Sequence, residues 1–197
     1  VILKLTGFAD AQLDAIRVKL DAGGGLDAGE VMGESKVTFT GNDTSTKGNW
    51  MERYGSRGSD VAGQPRKAPV DLLYENKNPT FVWKPVVESV AGVKLVNNID
   101  RTASCYYSAG KKMELLIGNK SRKPRSLSFY FWPYEPSDRK LVIRATNPND
   151  GAILDERIIE NADQGVYYNY TCDGLVRFQV EAVEGVNAIV NAVFFND

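Results

Sequence analysis

The chain has 197 residues, 43% of them apolar and 25% charged, enough for one sizeable folded domain and too apolar for a disordered one. Its 24 basic and 25 acidic residues leave a formal net charge of −1, which argues against nucleic acid as a partner, because a phosphate-binding face shows as a basic excess. Histidine is absent, which removes Ser-His and Cys-His nucleophilic pairs and histidine metal sites, and no run approaches the roughly 20 apolar residues of a membrane helix.

Residues 2–20 hold two amphipathic stretches, 2–8 and 13–20. The alternation of Ile16, Val18 and Leu20 fits a strand better than a helix, so the pair reads as a hairpin. A glycine-rich linker follows at 21–29, with Gly23, Gly24, Gly25 and Gly29. Segment 10–16 lines up with 187–193: Ala11 matches Ala188, Ala15 matches Ala192, and Asp10 and Asp14 face Asn187 and Asn191. Residues 1–29 are therefore expected to be an extra hairpin plus linker. They read either as the tail of a preceding module or as strands that are merely similar. The start at Val1, without methionine, reads as a piece of a longer protein.

The main domain is expected over 30–197, opening with a strand at Val37. Residues 41–63 form a long polar loop, and loops of that length are usually functional or well tied down. Short strands are predicted around 70–74, 80–83 and 94–96. Two longer ones, 101–108 and 112–117, are spaced for a hairpin across Ala109, Gly110 and Lys111. The basic run at 120–125 reads as a solvated loop before an anion contact. From 126 onward the chain is strand, turn, strand. Six β-type runs, at 126–132, 139–146, 152–159, 165–171, 174–183 and 187–195, are divided by segments rich in Pro, Asn, Asp and Gly. This spacing predicts an all-β sandwich. Cys105 and Cys172 both fall in strand-like runs, and the sequence leaves open one disulfide or two buried thiols.

Several stretches together resemble a bacterial accessory β-sandwich found in large secreted or cell-surface polysaccharide-acting proteins. They are the loop Thr46-Lys47-Gly48-Asn49-Trp50 with Tyr54-Gly55 and Gly58, the strand from Arg101 through Ala103 to Tyr106, the aromatic run 128–132, Ser137-Asp138-Arg139, and the ending 185–195. Where that family often has Asp-Trp-Asp, this chain has Trp132-Pro133-Tyr134-Glu135, and its cysteines lie outside the shared pattern. The resemblance implies a jelly-roll β-sandwich of galactose-binding-like, carbohydrate-binding-module type, and a secreted or cell-surface location.

Sugars present C–H faces to flat rings and hydroxyls to polar neighbours, so a glycan site needs exposed aromatics beside Asp, Asn, Arg or Gln. Trp50, Arg53 and Tyr54 in the long loop meet that description, as do Trp132, Tyr134, Asp138 and Arg139 around the altered turn. The competing reading of Trp50 is a plug that rigidifies the loop. Strand alternation sends Phe129 and Phe131 to one face and Tyr130 and Trp132 to the other, the second face lining a concave surface or packing under a loop. Trp83, beside Lys84 and Pro85, reads as a buried anchor, and at least one of Tyr167, Tyr168 and Tyr170 is expected to face solvent. Asn42-Asp43, the Asn147–Asp150 turn, Asp138 and Asn196-Asp197 supply oxygens that leave a structural Ca²⁺ open. No phosphate loop, Gly-x-Ser-x-Gly elbow or Cys-x-x-Cys occurs. The expected function is therefore non-catalytic. The module binds a glycan or polysaccharide and targets a catalytic domain of the same parent chain. The alternative is a spacer module without a sugar ligand.

Overall fold

The computed structural model describes residues 33–119, 123–135 and 138–197. The hairpin and linker expected at 1–29 lie outside the described residues, as do Lys120, Ser121, Arg122, Pro136 and Ser137. The strands are β1 (Lys36–Asp43), β2 (Gly58–Val61), β3 (Leu72–Asn76), β4 (Thr80–Lys84), β5 (Val93–Lys94), β6 (Arg101–Tyr107), β7 (Lys112–Asn119), β8 (Arg125–Phe131), β9 (Lys140–Thr146), β10 (Ile153–Ile159), β11 (Val166–Asp173), β12 (Leu175–Glu184), β13 (Ile189–Val190) and β14 (Ala192–Asn196). Single 3-10 turns at Trp50–Glu52 and Ala162–Gln164 are the helical elements among the described residues. A first five-stranded sheet runs β1-β11-β8-β14-β2 and a second runs β10-β9-β12-β7-β3. A smaller third sheet runs β13-β6-β4, with β5 also paired to β6. The pairings are antiparallel and close no barrel.

The second sheet follows from period-2 alternation. Met113, Leu115 and Ile117 on β7 and Val176, Phe178 and Val180 on β12 are buried in one core, while Lys112, Glu114, Arg177, Gln179 and Glu181 point the other way. The outward side chains pair across strands: Gln179 donates to Glu114 at 3.0 Å and Lys112 meets Glu181 at 3.3 Å. This is the pattern of a sheet with one wet face.

The first sheet is buried on both sides along β8, β14 and the start of β11, while its edge strand β1 stays partly exposed. Phe129, Phe131, Tyr168 and Tyr170 join the core beneath the second sheet. Tyr130, Trp132, Tyr167 and Phe194 form a separate buried cluster on the opposite face with Trp50, Tyr54, Ala91 and Val93. The aromatic run thus alternates as the sequence predicts, and its second face packs under loops. Each large side chain so buried stabilises the fold by roughly 1.5–3 kcal/mol relative to exposure. The expectation of a solvent-facing tyrosine on β11 is corrected: Tyr167, Tyr168 and Tyr170 are all buried, because loops cover the face that alternation alone would leave wet.

All six C-terminal runs are strands, but the last is cut in two at Asn191. There the chain leaves β6 of the third sheet for β8 of the first. The fully buried Asn191 side chain makes this change of sheet affordable in hydrogen bonds: its Oδ1 accepts from Trp132 N–H at 2.5 Å, and its Nδ2 donates to the Ser104 carbonyl at 2.7 Å.

Two sequence expectations are corrected here. Residues 101–108 and 112–117 do not form a hairpin: β6 pairs with β4, β5 and β13, and β7 pairs with β12 and β3. Residues 102–106 of β6 are all buried, whereas β7 alternates, so the two suit different layers. The long loop at 41–63 also contains a strand, β2, on the edge of the first sheet. It carries Asp60, whose fully buried carboxylate accepts from Tyr74 and Tyr106 hydroxyls at 2.7 Å and Asn76 Nδ2 at 3.1 Å, with Arg66 Nε at 3.1 Å. One side chain thereby joins all three sheets. The cysteine alternative resolves to two free, buried thiols, Cys105 and Cys172.

Candidate functional site

The expected site residues fall into two constellations. The first is built on Asp43, at the end of β1. Its carboxylate accepts from Ser45 N–H at 2.7 Å, Ser45 Oγ at 2.6 Å, Thr46 Oγ1 at 2.5 Å and Tyr54 Oη at 2.9 Å, with Arg53 Nη1 at 3.2 Å. Burial alone would raise the Asp43 pKa, but the hydrogen bonds from Ser45, Thr46 and Tyr54 outweigh it and hold the carboxyl well below the usual range. Burial, then the hydrogen bond to Asp43 and its charge, push the Tyr54 phenol up to about 12. Tyr54 stacks on Tyr167 with ring centroids 4.2 Å apart. Trp50 lies 4.9 Å from Phe194 and donates its indole N–H to the Lys94 carbonyl at 2.7 Å. Only 7% of Trp50 and 7% of Tyr54 is exposed, so neither stands as a stacking platform, and the burial of Trp50 agrees with the competing reading of it as a plug. Both rings cover the first sheet, and the exposed member of the group is Arg53, its side chain 60% accessible. A small polar cavity of about 260 Å³ lies alongside, lined by Asn49, Met51, Glu52, Lys94 and Asn98.

The second constellation gathers around the third sheet. Trp132 is 5% exposed and its ring is also unavailable for stacking, for the same reason as Trp50. Its neighbour Tyr134 is half-buried, set edge-on to Trp132 at 5.6 Å, 6.4 Å from Trp83, and capped by Lys84 Nζ at 5.7 Å. Trp83, expected as a buried anchor, is half-buried and lines a cavity of about 290 Å³. Phe81, Tyr107, Arg139, Val186 and Asn187 complete its walls, with Cys105 among the lining residues. Phe81 pairs directly with Cys105 of β6, and Trp83 falls at a register shift between Val82 and Lys84 that sets its ring beside Phe81 in the same cavity. Phe81 is 48% exposed and meets Trp83 at 5.4 Å and Tyr107 at 6.2 Å, both edge-to-face. Arg139 Nε and Nη2 donate to Asn187 Oδ1 at 3.3 and 3.1 Å, which fixes the guanidinium beside the rings. Asp138 is exposed at the rim of the turn.

The structure therefore brings Arg139 to an aromatic surface, but the surface is Phe81, Trp83 and Tyr107 rather than Trp50 and Trp132. Phe81 and Tyr107 carried a usable signal, the alternation Phe81-x-Trp83 and the aromatic end of β6. Which face a loop leaves open carried none. On the structural Ca²⁺ left open by the sequence, no group of three or more His, Cys, Asp or Glu side chains among the described residues is placed to hold a metal. Asp43 is engaged as above, Asp150 Oδ1 accepts from Ala152 N–H at 2.8 Å, and Asn196 Oδ1 accepts from Gly55 N–H at 2.6 Å. Of the basic run, Arg125 lies in β8 and pairs with Asp71, itself 2.9 Å from Arg57. No helix among the described residues is long and apolar enough to cross a membrane.

Comparison with known protein families and with curated proteins finds no match to this chain.

Proposed function

We propose that this is a non-catalytic carbohydrate-binding module whose site is the aromatic cavity of the third sheet. The observation that carries the reading is the half-exposed ring set Phe81, Trp83 and Tyr107 standing beside the Arg139–Asn187 pair. Rings take the C–H faces of a sugar while the guanidinium and amide take its hydroxyls. The strand order supports a jelly-roll sandwich of galactose-binding-like type as its frame, since the chain passes between the two large sheets from β7 to β8, β8 to β9, β10 to β11 and β11 to β12. In a secreted or cell-surface parent protein, such a module holds a linked catalytic domain near its polysaccharide and raises the effective substrate concentration.

The second reading, a spacer module with no sugar ligand, is supported by the burial of Trp50, Tyr54 and Trp132. Pull-down on insoluble polysaccharides and a soluble glycan panel separate the two. Selective binding that falls about tenfold in Phe81→Ala and in Trp83→Ala, roughly the 1.4 kcal/mol a stacked ring supplies, supports the module. Absence of binding across the panel supports the spacer.

A further inference from the structure

Resting on that reading, we propose that the aromatic cavity is one of two adjoining subsites, and that the ligand is an extended, uncharged oligosaccharide bound along its length. A second cavity of about 530 Å³ lies at the end of the second sheet, and Tyr107 lines both. The aromatic cavity alone falls just short of the roughly 300–1,000 Å³ of small-molecule sites, whereas the second falls well inside that range. Their common wall is tied down, because Tyr107 N–H donates to the Pro79 carbonyl at 3.0 Å.

The chemistry of the second cavity selects the ligand class. Its charged side chains are ion-paired: Lys77 with Glu75 at 2.7 Å and Arg177 with Glu114 at 3.5 Å within the lining, and Lys112 with Glu181 outside it at 3.3 Å. One ion pair leaves an ammonium, a guanidinium or a carboxylate with further donors or lone pairs, so the lining offers both kinds of hydrogen-bonding group at nearly balanced charge. Sugar hydroxyls, which donate and accept, fit such a surface. An anionic ligand would have to compete with Glu75 and Glu114 for the same cations. Leu116 and Pro79 supply apolar area for the ring C–H groups.

The test is titration calorimetry of the full chain with the dimer, tetramer and hexamer of cello-, xylo- and manno-oligosaccharides, with oligogalacturonates as the anionic comparison. The expected result is affinity for one neutral series that rises about tenfold or more from dimer to hexamer and is the same at low and high salt. Arg177→Ala, at a half-buried position on the wet face of β12, should weaken the hexamer about tenfold with the dimer unchanged and the melting curve unmoved. Phe81→Ala should weaken both lengths. Equal affinity for dimer and hexamer, with Phe81→Ala still damaging, would overturn the second subsite and leave the glycan reading standing. Preference for oligogalacturonate, or binding abolished by salt, would overturn the uncharged class. No heat from any series would overturn both the inference and the reading beneath it.

Discussion

Asp43 repays attention among single residues because it does the opposite of what its position in a polar loop predicts. Read as a candidate metal ligand, it is a buried acceptor that fastens the start of the covering loop through Ser45, Thr46 and Tyr54. Its ion pair with the largely exposed Arg53 adds little, since solvent screens it. The hydrogen bonds to a charged acceptor matter more, about 1.5–3 kcal/mol between them and the neutral isostere. The pH dependence follows in sign. A folded-state pKa held below the unfolded value of about 3.9 contributes stability that is complete above the unfolded value and is lost as pH falls through the folded one. Asp43→Asn is expected to lower urea-unfolding stability by about 1.5–3 kcal/mol at pH 7. The gap to wild type should close progressively below about pH 4. A gap that stays constant down to pH 2 would mean the charge itself contributes nothing. Nothing local in the sequence marks Asp43, because its exposure is set by Tyr54 and the loop that folds over it.

At the scale of elements, the six C-terminal runs were legible because each alternates or is continuously apolar between turn residues. The pairing of β6 was not, because local spacing favoured a hairpin and a buried strand belongs to whichever layer covers both its faces. The motif Thr46-Lys47-Gly48-Asn49-Trp50 was legible, and the plug reading of Trp50 agrees with its burial, but its partner was not legible, being the distant segment 85–100. The two segments meet backbone to backbone. Gly48 N–H donates to the Val90 carbonyl at 3.0 Å and Lys94 N–H donates to the Gly48 carbonyl at 3.1 Å, while from β8 the Tyr130 side chain holds segment 85–100 by donating its Oη to the Ala91 carbonyl at 2.7 Å. A Cβ on Gly48 would stand 1.8 Å from the Gly92 carbonyl oxygen, so only glycine permits this approach. Gly48→Ala should push the two segments apart at a cost of about 1–3 kcal/mol. In a chain of this size that lowers Tm by about 2–4 °C for each kcal/mol. Acrylamide should then quench tryptophan fluorescence more strongly, because Trp50 and Trp132 lie under this cover. An unchanged quenching constant would show that the cover does not depend on the Gly48–Gly92 approach.

At the scale of the molecule, three sheets share their polar and apolar ties so closely that they should behave as one cooperative unit. Asp60 bonds side chains from β3 and β6 while sitting on β2, and Asn191 joins β8 to β6 at the strand break. Cys105 in the third sheet and Cys172 in the first belong to the same core. Burial pushes both thiols up to about 12. At pH 8 that leaves about a thousandfold less thiolate than in a free cysteine, and each residue is only 1% exposed, Cys105 included although it lines the aromatic cavity. Native protein should therefore show almost no reaction with a disulfide reagent such as Ellman's. In urea both thiols should become reactive over the same interval in which far-UV circular dichroism is lost. Reaction of one thiol at lower urea, assigned to Cys105 by a Cys105→Ser variant, would instead show the third sheet opening first. The aromatic cavity would then sit on a separately melting element, and glycan binding should stabilise that element before it stabilises the rest.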